Sequence, residues 1–187
     1  MSGNDPLDVL HSRRSRPALV APAPDPAELR ALLAAASAGP DHGRLRPWRF
    51  VVIDDAGLGP LGDAFAAAQA ERSPDATAAG LARTRLKPLR APMIVAVVAT
   101  PREHPTVPVW EQRAAAVCAA HGLTLAAHLL GFGAMWRTGW YGDTPKVRAH
   151  LGLLDTEDVT GWIYLGTPVG PVSAPRPEAE PSITWLR

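Results

Sequence analysis

The chain of 187 residues contains one cysteine, Cys118, and almost no net charge. A single thiol excludes an intramolecular disulfide and a cysteine-rich zinc site, and it makes a reducing, cytoplasmic compartment the expectation. The 19 basic and 18 acidic side chains leave a formal charge of +1, so no whole-protein field recruits nucleic acid, although a local cluster can still hold an anion. Long apolar runs are missing too. "PMIVAVVAT" and "AAAVCAAHGLTLAAHLLGFGAMW" are too short or too interrupted to span a bilayer, and "MSGNDPLDVL" has neither the basic nor the apolar region of a secretory leader, so no membrane partner is expected. No G-x-x-x-x-G-K-[ST] loop occurs, and "GFG" at 131–133 lacks the third glycine and follows a helical pattern, which argues against a Rossmann domain. Without a G-x-S-x-G elbow, a serine hydrolase has no obvious nucleophile.

What is present fits a globular fold: 47% hydrophobic residues, 20% charged, six tryptophans. One domain over residues 1–187 is expected, with the proline-rich 169–187 as an extended C-terminal arm whose apolar Ile183, Trp185 and Leu186 suggest docking, for instance on a partner chain. Asp5-Pro6 predicts a short helix to about Ser12, with "HSRRSRP" at its end. "DPAELRALLAAASAGPDH" predicts a second, with Asp25 as cap, Pro26 opening it, Glu28 completing a capping box and Gly39-Pro40 ending it. Strands are expected at 47–55, at 91–100 (a continuous apolar run, hence buried on both faces), at 134–141 and at 159–168. Helices are expected from Leu61 to Arg85 with a break near Ser73-Pro74, from Trp110 to Leu130, apolar nearly all round, and from Thr144-Pro145 to Gly152. Core sheet with helical cover follows.

His121 and His128, seven apart on one helical face, invite a metal reading. Two imidazoles without a nearby carboxylate are a poor site, since zinc takes three or four ligands, so both are read as core or cavity-lining side chains and no metal is expected. Cys118 reads as a small core residue. Four segments combine charge with apolar or aromatic neighbours: "RRS" (13–15), "GPDHGRLRPW" (39–48), "WEQ" (110–112) and "MWRTG" (135–139). Arginine beside a hydroxyl suits phosphate, because the guanidinium offers a planar fork and the hydroxyl a neutral donor, and each charge-assisted bond contributes about 1.5 to 3 kcal/mol. Arg13, Arg14 and Ser15 with Arg137 and Thr138 form two such groups.

In that order, "RRSRP", "GPDHGRLRPWRFVVI", "VPVWEQ", "GFGAMWRTG" and "GWIYLGTP" resemble the nitroreductase family, over about Asp8 to Pro168. The likeness is greatest to its short, YdjA-like bacterial branch of FMN-dependent NAD(P)H nitroreductases. The resemblance implies an α+β fold, a central mixed sheet flanked by helices, and an intertwined homodimer with FMN at the interface. It implies that Arg13, Arg14 and Ser15 hold the FMN phosphate and ribityl chain. Ala38 and His42 would reach the flavin across the interface; Arg46, where relatives usually carry Gln, would bring a cation there. Trp136, Arg137 and Thr138 would form a further cofactor-binding block. Ala126, Ala127, His128, Leu129, Leu130 and Gly131 would meet the nicotinamide cofactor, NADH or NADPH. The activity implied is ping-pong hydride transfer through flavin N5 to nitroaromatics, quinones or similar small acceptors, with no side chain acting as catalyst. Two alternatives stand beside it: a specialised flavin-dependent reductase or flavin-modifying enzyme, and a flavin-binding or anion-binding scaffold without turnover.

Overall fold

The computed structural model describes residues 7–171 and 180–186. Its centre is a sheet of five strands: β1 (Leu19–Val20), β2 (Trp48–Ile53), β3 (Met93–Ala99), β4 (Gly133–Arg137) and β5 (Asp158–Pro168). β5 is the hub. It pairs with β3 along one stretch, with β4 from Trp162 to Gly166 and with β1 at Thr167 and Pro168, while β2 lies beyond β3 as an edge strand.

All four pairings are antiparallel, which corrects the mixed sheet expected above to an antiparallel one among the described residues. The mixed sheet was implied by the family resemblance; the apolar run of β3 predicted only burial on both faces, and every residue in it is buried. The cause is helical cover on both faces. Ile94 and Ala96 point to one side, where Leu58, Leu61 and Phe65 of α3 (Asp55–Arg72) and Val147 of α6 (Pro145–His150) pack with Trp162 and Tyr164. Met93, Val95 and Val97 point to the other, onto Leu32 of α2 (Pro26–Ala36) and Leu123, Ala126 and Ala127 of α5 (Val109–Leu129). Each large apolar side chain so buried stabilises the fold by about 1.5 to 3 kcal/mol before entropy is subtracted.

Local signals place most of these elements. In α2 the Asp25 side chain accepts from the amides of Ala27 and Glu28 while Glu28 reaches back to the Asp25 amide, the reciprocal box expected from the sequence. Two helices do cover the alanine-rich region, but α3 starts six residues before Leu61: Asp54, just past the end of β2, caps α3 by accepting from Gly57 N. Thr77 caps α4 (Ala78–Arg85) through Gly80 N. β4 ends at Arg137 rather than 141, because Gly139 takes φ 144° and the chain turns so that Tyr141 stacks between Phe65 and Trp140. β1 is two residues long, too short to leave a periodic signal.

The Asp5-Pro6 start lies outside the described residues, and α1 spans Asp8–Ser12. The expected all-round burial of α5 is met on one side only. Ala116, Ala119, Ala120 and Leu123 are buried, but Trp110 is 67% exposed, Val117 46% and Leu129 59%. Part of the arm, 172–179 and 187, lies outside the described residues; within 180–186 Ile183, Trp185 and Leu186 are exposed. No helix among the described residues is long and apolar enough to cross a membrane.

Candidate functional site

The arginine cluster sits where α1 ends and the chain runs past the start of β4: Arg16 N donates to Ala134 O. This brings it against the last turns of α5. Ser12 Oγ lies 3.0 Å from His128 Nε2, and Arg14, Arg16, His128, Thr124 and Phe132 line one cavity of about 460 Å³ with Ser12. Burial first, then the charges of Arg13 and Arg14, hold the His128 imidazole below the ordinary histidine range. It is therefore a neutral hydrogen-bonding group at neutral pH, beside a dense positive charge. Arg13 and Arg14 are half-buried and Ser15 is exposed. Arg14 Nη1 donates to the carbonyls of His11 and Arg13, which fixes the guanidinium, while its buried Nε has no partner.

The second arginine block stands at the other end of β4. Arg137 lies 5.4 Å from the Tyr164 ring centroid and does not line the cavity of Arg14. Its Nε is also buried without a partner, as is Nε1 of Trp136; with Arg14 Nε these are the only such side-chain atoms among the described residues. Trp136 packs on the α5 face of the sheet, its indole so close over Gly161 that a Cβ built there would meet Nε1 at 2.1 Å. Thr138 is exposed.

Ala38 and Trp136 share a second cavity, of about 570 Å³, with Cys118 and His121. Cys118 is thus half-buried at a cavity wall and outside the core clusters. His42 opens a short 3-10 turn (His42–Arg44) before β2, Arg46 follows that turn, and both are exposed. His42 Nδ1 is 2.7 Å from Glu111 Oε2, and Arg46 holds φ 48° with its amide bound to Asp41 Oδ2. Of the segment 126–131, Ala126 and Ala127 are buried in the core, His128 faces the first cavity, and Leu129, Leu130 and Gly131 are exposed, Gly131 at φ 81°. The fold therefore joins "RRS" to His128 and Ala38 to Trp136, and leaves His42 on an outer surface. Ser12, Thr124 and Phe132 were not singled out in the sequence; Ser12 adjoins the arginines, but no spacing marks the other two.

The family model for the nitroreductase family matches residues 10–167. The chain belongs to the nitroreductase family. YdjA of Escherichia coli K12, which carries the name of an NAD(P)H nitroreductase, is 36% identical over 189 residues, 97% of this chain and all of that protein. A similarly named protein of Haemophilus influenzae is 36% identical over 166 residues, 87% of this chain and 88% of its own. Among solved structures, a nitroreductase with bound FMN from Bacteroides fragilis superposes with a TM-score of 0.77 at 24% identity, covering 98% of this chain and all of that one. A nitroreductase-like protein from Bacillus cereus gives 0.76 at 22% identity, covering 97% and 94%. Nitroreductase membership accounts for the order of the five blocks, and the α+β architecture agrees with it.

Proposed function

We propose that this nitroreductase-family chain is an FMN-dependent NAD(P)H oxidoreductase that reduces nitroaromatics, quinones or similar small acceptors. What supports it most is the condition of two guanidinium groups. Arg14 and Arg137, one from each block suited to phosphate, both bury an Nε with no partner. A buried polar donor left unpaired costs about 1 to 3 kcal/mol, more when charged, so each is suited to an anion supplied from outside the chain. An FMN phosphate is such an anion, and the residues present fit it.

When bound, FMN would supply the redox chemistry, accepting hydride from NADH or NADPH and passing electrons to the acceptor. The chain's own groups bind and orient. Arg13, Arg14 and Ser15, with Ser12 beside them, offer charged and neutral donors to the phosphate and ribityl chain, and Arg137 and Thr138 offer a second set. His128, kept neutral, adds a hydrogen-bonding atom without adding to the repulsion among the arginines. Trp136 contributes an apolar wall that excludes water, and 126–131 forms the rim at which the nicotinamide would arrive. Ala38, His42 and Arg46 would belong to the site of a second copy. The exposed apolar side chains of α5 and of 180–186 support a homodimer, since exposed side chains as large as Trp110, Val117, Leu129 and Trp185 are costly to leave in water.

The test is the visible absorption spectrum of the purified protein, before and after anaerobic NADH or NADPH. Flavin bands that bleach are expected. A colourless protein that fails to take up added FMN would overturn the reading, and one that remains yellow with both nucleotides would leave flavin binding without the proposed activity.

A further inference from the structure

The residues of the block "WEQ" at 110–112 go separate ways, and Glu111 and Gln112 have no task in the reading above. Gln112 is buried and clasps the loop before α5: Nε2 donates to Arg102 O at 2.8 Å and Val107 O at 3.0 Å, and Oε1 accepts from Arg102 N at 3.0 Å. Trp110 is exposed. Glu111 occupies the third position of α5, where a glutamate ordinarily turns back to bind the amide of the cap residue. The cap residue here is Pro108, which has no N–H to offer. The carboxylate points instead to His42, at 2.7 Å from Nδ1.

The backbone around His42 is tightly determined. Asp41 accepts from Leu45 N at 3.1 Å and Arg46 N at 2.7 Å, and Arg102 Nη2 donates to Leu45 O at 3.3 Å. Gly43, Arg44 and Arg46 are all held at positive φ, a conformation that persists in non-glycine residues only where the surroundings impose it. The freedom left to His42 lies in its ring, 59% exposed, and Glu111 restrains it. With Nδ1 engaged by the carboxylate, the ring offers Nε2 outward.

We propose that Glu111 is a positioning residue for His42, holding the imidazole so that Nε2 is the atom presented to the flavin site shared between two copies. It rests on the flavin reading, through the expected reach of His42 across the interface. Glu111 itself touches no cofactor; it acts through His42.

The experiment is a double-mutant cycle on FMN affinity, read by fluorescence titration of the full-length chain, with Glu111→Ala, His42→Ala and the pair. Glu111→Ala is expected to weaken FMN binding about tenfold in the wild-type background, the scale of one lost charge-assisted contact, and by less than about twofold in the His42→Ala background. Glu111→Gln, which still accepts from Nδ1–H, should restore most of the affinity. An equal loss in both backgrounds, or no loss in either, overturns the positioning role while the flavin reading stands. A wild-type chain that binds no FMN removes both. Should the variants fold poorly, nitrogen-15 NMR of the wild-type histidines decides: His42 protonated at Nδ1 supports the arrangement, and a ring with bare Nδ1 overturns it.

Discussion

Arg49 and Arg14 are both half-buried arginines, yet one is complete and the other unfinished. Arg49 forms a fork-to-fork pair with Glu157, Nε to Oε1 at 2.9 Å and Nη2 to Oε2 at 2.7 Å, and adds Gly152 O at 3.1 Å. Glu157 is itself buried and also accepts from Leu154 N, while Arg148 ties down the carbonyls of Leu154 and Glu157. Each member of that corner is bonded within the chain, and none of its buried side-chain polar atoms is left without a partner. Arg14 spends Nη1 on two nearby carbonyls, and its Nε, like that of Arg137, finds nothing. Arg49 serves the fold with its bonds made to protein; on the function proposed above, Arg14 would keep a donor back for a ligand.

The comparison can be broken from either side. The largest effect is expected for Arg14→Ala with Arg137→Ala: each should weaken FMN binding about 10- to 100-fold, from about 1.5 to 3 kcal/mol per charge-assisted contact, with urea stability of the FMN-free chain nearly unchanged. A loss of stability with unchanged affinity would put Arg14 in the class of Arg49. Glu157→Gln should do the reverse, lowering urea stability by about 1.5 to 3 kcal/mol and leaving FMN affinity alone. Its bond to Arg49 holds the Glu157 carboxyl below the usual carboxylate range, so this stabilisation is present above that range and is lost as pH falls through the depressed folded value. Acid titrations of wild type and variant should converge at low pH.

Gly161→Ala comes next. The new Cβ must displace the Trp136 indole, at a cost of about 1 to 3 kcal/mol, and a shift in tryptophan emission should accompany it. The smallest effect belongs to His128. Its folded value is depressed, so in the window just below the ordinary histidine range the unfolded chain holds a proton that the folded chain does not. Stability should fall as pH drops through that window, and His128→Gln should flatten the slope there.

Much of this was legible beforehand, and the reasons are local. The Asp25 and Glu28 box spans four residues, the burial of β3 is written in one unbroken apolar run, and "RRS" drew attention to a segment whose Arg14 the fold sets at a cavity wall. What escaped was whatever depends on distant residues meeting. His42 and Glu111 are 69 positions apart and Arg49 and Glu157 108, and nothing in either neighbourhood names the other. The mixed sheet came with the family resemblance, and β3 alone could not test it: burial on both faces reports what covers a strand, not the direction of the strand beside it. Asp54 is the local exception: just past the end of β2, it caps α3 ahead of the expected start at Leu61.

The partnerless Nε atoms of Arg14 and Arg137 carry one more consequence, for the life of the protein in a cell. A ligand that binds only the folded chain adds RT ln(1 + [L]/Kd) to its stability, about 2.7 kcal/mol at a hundredfold excess over Kd. If FMN is that ligand, the abundance of this protein follows flavin supply. Chains made when flavin is scarce open more often and meet proteases sooner, and the cell discards the enzyme it cannot equip.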